Sequence, residues 1–184
     1  MTSPRLLSVN VGLPRTVEFH GRKIRTGIFK EPVLFPVHVG KLDLDGDRQA
    51  DLTVHGGPDK AVYAYDLSGY THWRRALSRE LPFGQFGENL TVEGMPETEV
   101  RIGDTYRIGS TLFQVSQPRS PCFKLAMKME MPTFPRMFLA AGRTGFYFRV
   151  LEEGEVEAGD AITLVSREPG QITVLEATRE IYGG

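Results

Sequence analysis

The stretch Val100-Arg101-Ile102-Gly103-Asp104-Thr105-Tyr106-Arg107-Ile108-Gly109-Ser110-Thr111-Leu112-Phe113-Gln114-Val115-Ser116 reads as three short strands, Val100–Ile102, Thr105–Ile108 and Thr111–Ser116. Each is rich in β-branched or aromatic residues, and the boundaries are turn pairs, Gly103-Asp104 and Gly109-Ser110. A helix would need a longer uninterrupted run with apolar residues three and four apart. The segment therefore points to a β-rich chain of short strands and tight turns.

The same pattern extends outward. Arg5–Gly12 alternates as a first strand. Thr16–Phe19 and Lys23–Phe29 flank His20-Gly21, which reads as a hairpin turn. Val33–Val39 is apolar and β-branched, and Phe146–Leu151 and Ala161–Val165 complete the set. Val100-Arg101-Ile102-Gly103-Asp104 is echoed by Val156-Glu157-Ala158-Gly159-Asp160, and a strand follows each. Either this is chance use of a common turn, or the two are equivalent corners of one barrel. Helices are inserted between strands without regular alternation. Tyr70, Trp73, Leu77 and Leu81 recur at helical spacing behind Asp66 or Ser68 as N-cap. Phe134, Phe138 and Ala141 do so behind Thr133, with Pro135 in the first turn and Gly142 as the stop. Cys122–Met129 reads as a third, shorter helix, and Ile172–Tyr182 as a short strand or the start of a helix. The expected fold is mainly β (α+β), a mostly antiparallel β-barrel with a few inserted helices rather than a doubly wound sheet. With 184 residues and no break in composition, a single domain over 1–184 is expected.

Bulk properties narrow the function. Apolar residues make up 40% of the chain, enough for one core, and the formal net charge is −1. That balance gives no global reason to expect a nucleic acid polymer or a membrane as partner. No apolar run approaches the length needed to span a bilayer, and Met1–Val11 does not read as a signal peptide. One cysteine forms no intrachain disulfide, so a reducing, cytoplasmic setting is expected.

Chemistry concentrates in three polar segments. The first runs Asp45-Gly46-Asp47-Arg48-Gln49-Ala50-Asp51 and on to His55-Gly56-Gly57-Pro58-Asp59-Lys60-Ala61. The second is Phe86-Gly87-Glu88-Asn89-Leu90. The third is Gln117-Pro118-Arg119-Ser120-Pro121-Cys122-Phe123-Lys124-Leu125. In the third, two prolines stiffen the chain around Arg119 and Ser120. Cys122 stands after that turn, where Arg119, Lys124 and the amides of a following helix would favour its thiolate, a nucleophile or soft-metal ligand. The other reading is a small buried hydrophobe; two prolines and an arginine argue against it. Gly56-Gly57 lets backbone amides approach an anion, with Lys60 beside them, or else forms an ordinary turn. Asp43, Asp45 and Asp47 imitate the start of a calcium loop, but the glycine falls at 46 and position 54 is Val rather than Glu. Asn89 has an amide able to read a heterocycle edge, or a turn role. His20, His38 and His72 read as structural. A Cys122–His55 hydrolase lacks a third orienting residue.

Taken together, the three segments and Ile102-Gly103-Asp104 closely resemble the MOSC family, most of all its YiiM-like branch, from about Leu7 to Ser166. The resemblance implies a β-barrel that holds the molybdenum cofactor, a pterin with a dithiolene and a phosphate. It implies Cys122 as thiolate ligand to molybdenum. Lys60, Arg119 and the Gly56 and Gly57 amides would serve the phosphate, Asn89 and Ser120 the pterin edge, and His55 would donate a proton. It implies reduction of small N-hydroxylated compounds such as hydroxylaminopurines to amines, a detoxifying reaction, with electrons from a separate donor protein. A non-catalytic carrier or sulfur-transfer module for the cofactor is the alternative. Pyridoxal phosphate binding is a further family-level association. The family's three-helix extension would begin where this chain nears its end, so about 167–184 is expected as a tail in its place.

Overall fold

A computed structural model describes residues 3–50 and 56–183. Its strands are β1 (Arg5–Val11), β2 (Arg15–Phe19), β3 (Arg22–Thr26), β4 (Glu31–Val33), β5 (Val37–Val39), β6 (Val62–Asp66), β7 (Leu90–Glu93), β8 (Thr105–Ile108), β9 (Thr111–Pro118), β10 (Phe146–Glu152), β11 (Gly154–Val156) and β12 (Ile162–Ser166). The helices are α1 (Leu67–Leu77), α2 (Phe123–Met129), α3 (Phe134–Ala140) and α4 (Val174–Tyr182). Eight strands form one sheet in the order β12-β8-β9-β10-β6-β7-β1-β4, and β5–β11 and β2–β3 are separate pairs. All pairings are antiparallel except β6 with β7. The mainly β, mostly antiparallel expectation is met. A closed barrel is not found: β1 meets the chain entering β12 through the Arg5–Ala161 bridge and the backbone bonds of Pro4 and Leu6 with residues 159–162, and β4 pairs with the other end of β1.

The chain packs two cores on opposite faces of the central strands. Val62, Ala64, Phe146, Phe148 and Phe113 enter one cluster with Leu6, Val9 and Ile108. Tyr63 and Tyr65 point the other way, into an aromatic cluster with Tyr70, Trp73, Phe86, Phe134 and Phe138 that joins α1 and α3 to the sheet. Trp73 meets Phe134 edge-on at 4.8 Å between ring centroids, a geometry aromatic rings favour. Every residue of β6 is buried, so β6 lacks the polar alternation by which a half-buried strand is recognised.

Local signals behave as their chemistry requires. His20 and Gly21 take φ of 50° and 72°, both positive as a two-residue hairpin turn demands. The Asp66 carboxylate caps α1 by accepting from the Ser68 amide at 2.9 Å. Thr133 precedes α3 but makes no side-chain cap bond. Val33–Val39 is not one strand: Pro36 carries no amide hydrogen, and the chain bends at Leu34-Phe35-Pro36, leaving Leu34 and Phe35 exposed. Val100–Ile102 is not a strand; it keeps one bridge, Arg101 to Thr173. The segment expected as a tail contains α4, closed by a reciprocal Thr173–Glu176 capping box and buried at Val174 and Ala177.

The sequence echo is structural. The Arg101 amide donates to Asp104 Oδ2 at 2.9 Å and the Glu157 amide to Asp160 Oδ2 at 2.8 Å. In each turn the Asp amide returns a bond to the first residue's carbonyl at 3.1 Å, and Gly103 and Gly159 take φ of 90° and 100°. The strands that follow, β8 and β12, pair antiparallel, so the corners stand at opposite ends of one ribbon. They differ in burial: Asp104 is fully buried and also receives Arg167 and Tyr106. Asp104→Ala should therefore cost about 3 kcal/mol or more, and Asp160→Ala about 1 kcal/mol, read from urea unfolding. Equal losses would contradict this difference between the corners.

Candidate functional site

The site is an open cleft with a cavity volume of about 90 Å³, lined by Thr26–Ile28 and Lys30, by Asp47–Ala50, by Lys60 and Tyr63, by Gly87 and Asn89, by Arg119, Ser120, Cys122 and Lys124, and by Tyr147. Strands and loops distant in sequence meet here because β6, β9 and β10 lie side by side. Lys60 precedes β6, the Arg119–Cys122 turn follows β9, and Tyr147 lies on β10.

The wall is built on a buried carboxylate. Asp47 accepts from Lys30 Nζ at 2.5 Å, with side-chain exposures of 2% for Asp47 and 7% for Lys30. It also accepts from the Gly12 amide and from Asn89 Nδ2, both at 3.0 Å. Asn89 in turn accepts from the Tyr63 amide at 3.0 Å and donates to the Asn10 carbonyl at 3.4 Å. Both its amide hydrogens and its oxygen are therefore committed to the protein. Asn89 lines the cleft but acts as its joist, which leaves no donor for a pterin edge. Neighbouring Glu88 is fully buried and accepts from Tyr70 Oη, the Gly84 and Phe86 amides and Thr91 Oγ1. The Phe86–Leu90 motif is thus a scaffold. In the acidic run, Asp43 pairs with Arg48 at 2.9 Å, and among the described residues no three His, Cys, Asp or Glu side chains are placed to hold a metal ion.

Arg119 is the charged centre. It is 6% exposed, and its guanidinium carbon lies 4.8 Å from the Tyr63 ring centroid and 5.6 Å from that of Phe138. Its backbone amide donates to the Gly145 carbonyl at 3.2 Å. Burial alone would lower its pKa, but Tyr63, Tyr147 and Cys122 hold it above its ordinary value. Yet Nη1 is buried without a hydrogen-bond partner, a costly state for a charged donor. Cys122 is half-buried at the N-cap position of α2, and Ser120 is exposed at the mouth.

Lys60, Asn89, Arg119, Ser120 and Cys122 are therefore brought to one cleft. Gly56 and Gly57 are not in its wall; they lead into the Pro58–Lys60 turn, where the Gly57 carbonyl accepts from the Lys60 amide at 3.1 Å. His55 and Asp51 lie outside the described residues. Sequence reasoning missed Lys30, Asp47 as a joist, Gln49 and Tyr147. Tyr147 had a legible signal: it alternates with core residues Phe146 and Phe148, so it faces the other way. Lys30 had none, because its partner is 17 residues away.

A family model described as MOSC domain matches residues 51–163. The chain belongs to the MOSC domain family. It is 48% identical over 177 residues to the protein YflK of Bacillus subtilis, covering 96% of this chain and 80% of that protein. It is 39% identical to the protein YiiM of Escherichia coli, over 74% of this chain and 62% of that one. A Gibberella moniliformis protein named reductase is 35% identical, but the match covers only 29% of it. The crystal structure of YiiM from Geobacillus stearothermophilus superposes with TM-score 0.81 at 38% identity, covering 97% of this chain and 84% of that one. The family is associated with the molybdenum cofactor. Among the described residues no helix is long and apolar enough to cross a membrane.

Two measurements test the scaffold. Asp47→Ala leaves Lys30 without its carboxylate and should lose about 3–5 kcal/mol in urea unfolding, whereas Asp47→Leu with Lys30→Met should recover much of it. Glu97, 3% exposed, accepts from the Gly145 amide at 2.8 Å and so supports the segment that holds the Arg119 backbone. Burial pushes its carboxyl from 4.5 to about 7, Asp66 adds to the rise, and Gly145 and Arg143 oppose it. The folded state then holds a proton that the unfolded chain releases above about 4.5, so stability falls as pH rises from about 4.5 to about 7. Glu97→Gln should raise Tm at pH 8, with the gain vanishing below pH 4.5; a constant gain at all pH would refute the assignment.

Proposed function

We propose that the cleft holds the molybdenum cofactor, with Cys122 as thiolate ligand, and that the protein reduces small N-hydroxylated compounds to amines. The observation that carries this is a buried arginine with an unmet donor, in one cleft with the chain's only cysteine. The residues fit the group. A thiolate suits a soft metal, and Arg119 with Lys60 and Lys124 suits a phosphate. The relative named reductase and the MOSC model support the redox reading. Bound here, the cofactor would supply the two-electron exchange.

The chain's own residues would do the rest. Arg119 and Lys60 hold anionic groups, Ser120 offers a hydroxyl at the mouth, and the Asp47–Asn89 frame keeps the wall rigid. The overall change is R–NH–OH plus two electrons and two protons to R–NH2 plus water. The electrons come from a separate donor protein in a reducing, cytoplasmic setting, and His55 is proposed to deliver one of the protons.

Protein purified from a cofactor-producing host should contain close to one molybdenum per chain and yield the fluorescent oxidised pterin. With reduced benzyl viologen it should convert 6-hydroxylaminopurine to adenine, and Cys122→Ser should abolish turnover while unfolding as the wild type does. Molybdenum without turnover would favour the carrier alternative. Full activity of Cys122→Ser would sink the ligand assignment.

A further inference from the structure

The cleft is approached by a hairpin that belongs to neither core. β2 and β3 pair only with each other, and Thr26, the last residue of β3, begins the cleft wall. The register sets Thr16 opposite Arg25 and Glu18 opposite Lys23 on one face, and Val17 opposite Ile24 on the other. All four residues of the first face are exposed, whereas Val17 and Ile24 are half-buried. Arg22 is exposed beside the turn. Arg15, Arg22, Lys23 and Arg25 therefore stand against one acid, Glu18, in a chain whose formal net charge is −1. Elsewhere exposed or part-exposed arginines are neutralised: Arg5, Arg48, Arg107, Arg149 and Arg167 each lie 2.5–3.0 Å from a carboxylate oxygen. Among the described residues Arg22, Lys23 and Arg25 have no such ion pair. Glu18, opposite Lys23 in the register, offsets one of these charges at most.

A strand rises about 3.3 Å per residue, so even Arg22 lies only about 13 Å along β3 from the cleft wall at Thr26. Uncompensated cations beside a cleft attract an acidic partner and orient it. A wide polyanion is a poor match. The residues outside the hairpin carry an excess of acid, which a membrane surface or a nucleic acid would also meet. A compact protein with a small acidic face fits better, and redox encounters use small interfaces, below about 1,200 Å². We propose that the outer face of the β2–β3 hairpin is the docking surface for an acidic face of the electron-donor protein, which it holds beside the cleft. The inference rests on the reductase reading above and adds the partner's charge and its place of contact. In each turnover two donor molecules lose one electron each, and R–NH–OH takes up both electrons with two protons to give R–NH2 and water.

Flavodoxin, an acidic flavin protein, tests this as the hydroquinone donor, beside reduced benzyl viologen, a small donor that needs no docking. Arg22, Lys23 and Arg25 do not line the cleft, so R22E/K23E/R25E should keep the wild-type turnover with benzyl viologen. Its KM for flavodoxin should rise about tenfold or more at about 20 mM salt. The difference should close at about 0.5 M salt, where the Debye length is only about 4 Å. R22Q/K23Q/R25Q should show a smaller rise in the same direction. Calorimetric binding of oxidised flavodoxin reads docking apart from turnover. If neither donor supports turnover but the wild type binds flavodoxin and the charge-reversed variant does not, the reductase reading falls and the acidic-protein surface stands. Equal KM and binding in wild type and variants, no binding by the wild type, or a difference that ignores salt would overturn the proposal. So would binding of phosphatidylserine vesicles or duplex DNA through these residues in place of flavodoxin.

Discussion

The structure depends on a carboxylate that water does not reach. Asp47 gathers the Lys30 ammonium, the Gly12 amide and the Asn89 side chain around two oxygens. Through Asn89 it reaches the Tyr63 backbone in β6. A buried charge is tolerated only when its lone pairs are satisfied. That requirement ties the end of β1, the strand-free stretch after β3, the acidic loop and the central strand to one point, and the cleft opens beside it.

Satisfied and unsatisfied groups divide the site by role. Glu88 and Asn89 spend their hydrogen-bonding capacity inside the protein, which makes the Phe86–Leu90 motif a frame. Arg119 and Gln49 each keep one buried side-chain atom without a hydrogen-bond partner. A folded protein seldom leaves such groups unmet, and both residues line the cleft that also holds Cys122. The aromatic cluster beneath, from Tyr63 to Phe138, supplies the apolar ground on which the guanidinium rests.

Much of this was legible in advance, element by element. The Gly103-Asp104 and His20-Gly21 turns, the strand Thr105–Ile108 and the N-cap Asp66 follow from backbone sterics and local hydrogen bonding, which act within a few residues. The reading faltered where burial overrode pattern. β6 is buried on both faces and shows no alternation, Val33–Val39 breaks at Pro36, and Val100–Ile102 has only one bridge. At the site, the rigid Pro-Arg-Ser-Pro turn and Cys122 stood out because their types are unusual together. Lys30 and Gln49 did not, because a lysine or glutamine in a loop acquires meaning only from what folds against it.

By itself, the sequence determined the β-rich class, the positions of most turns and helices, the motifs of the MOSC family and the presence of a lone cysteine in a stiff, basic turn. These follow from short-range constraints on φ, ψ and side-chain chemistry. Only the tertiary structure decided that Asn89 is a joist, and that Arg119 and Gln49 line one cleft while each keeps a buried atom without a hydrogen-bond partner. Those facts depend on which groups are buried together, and burial is a property of the packed chain that no local stretch carries.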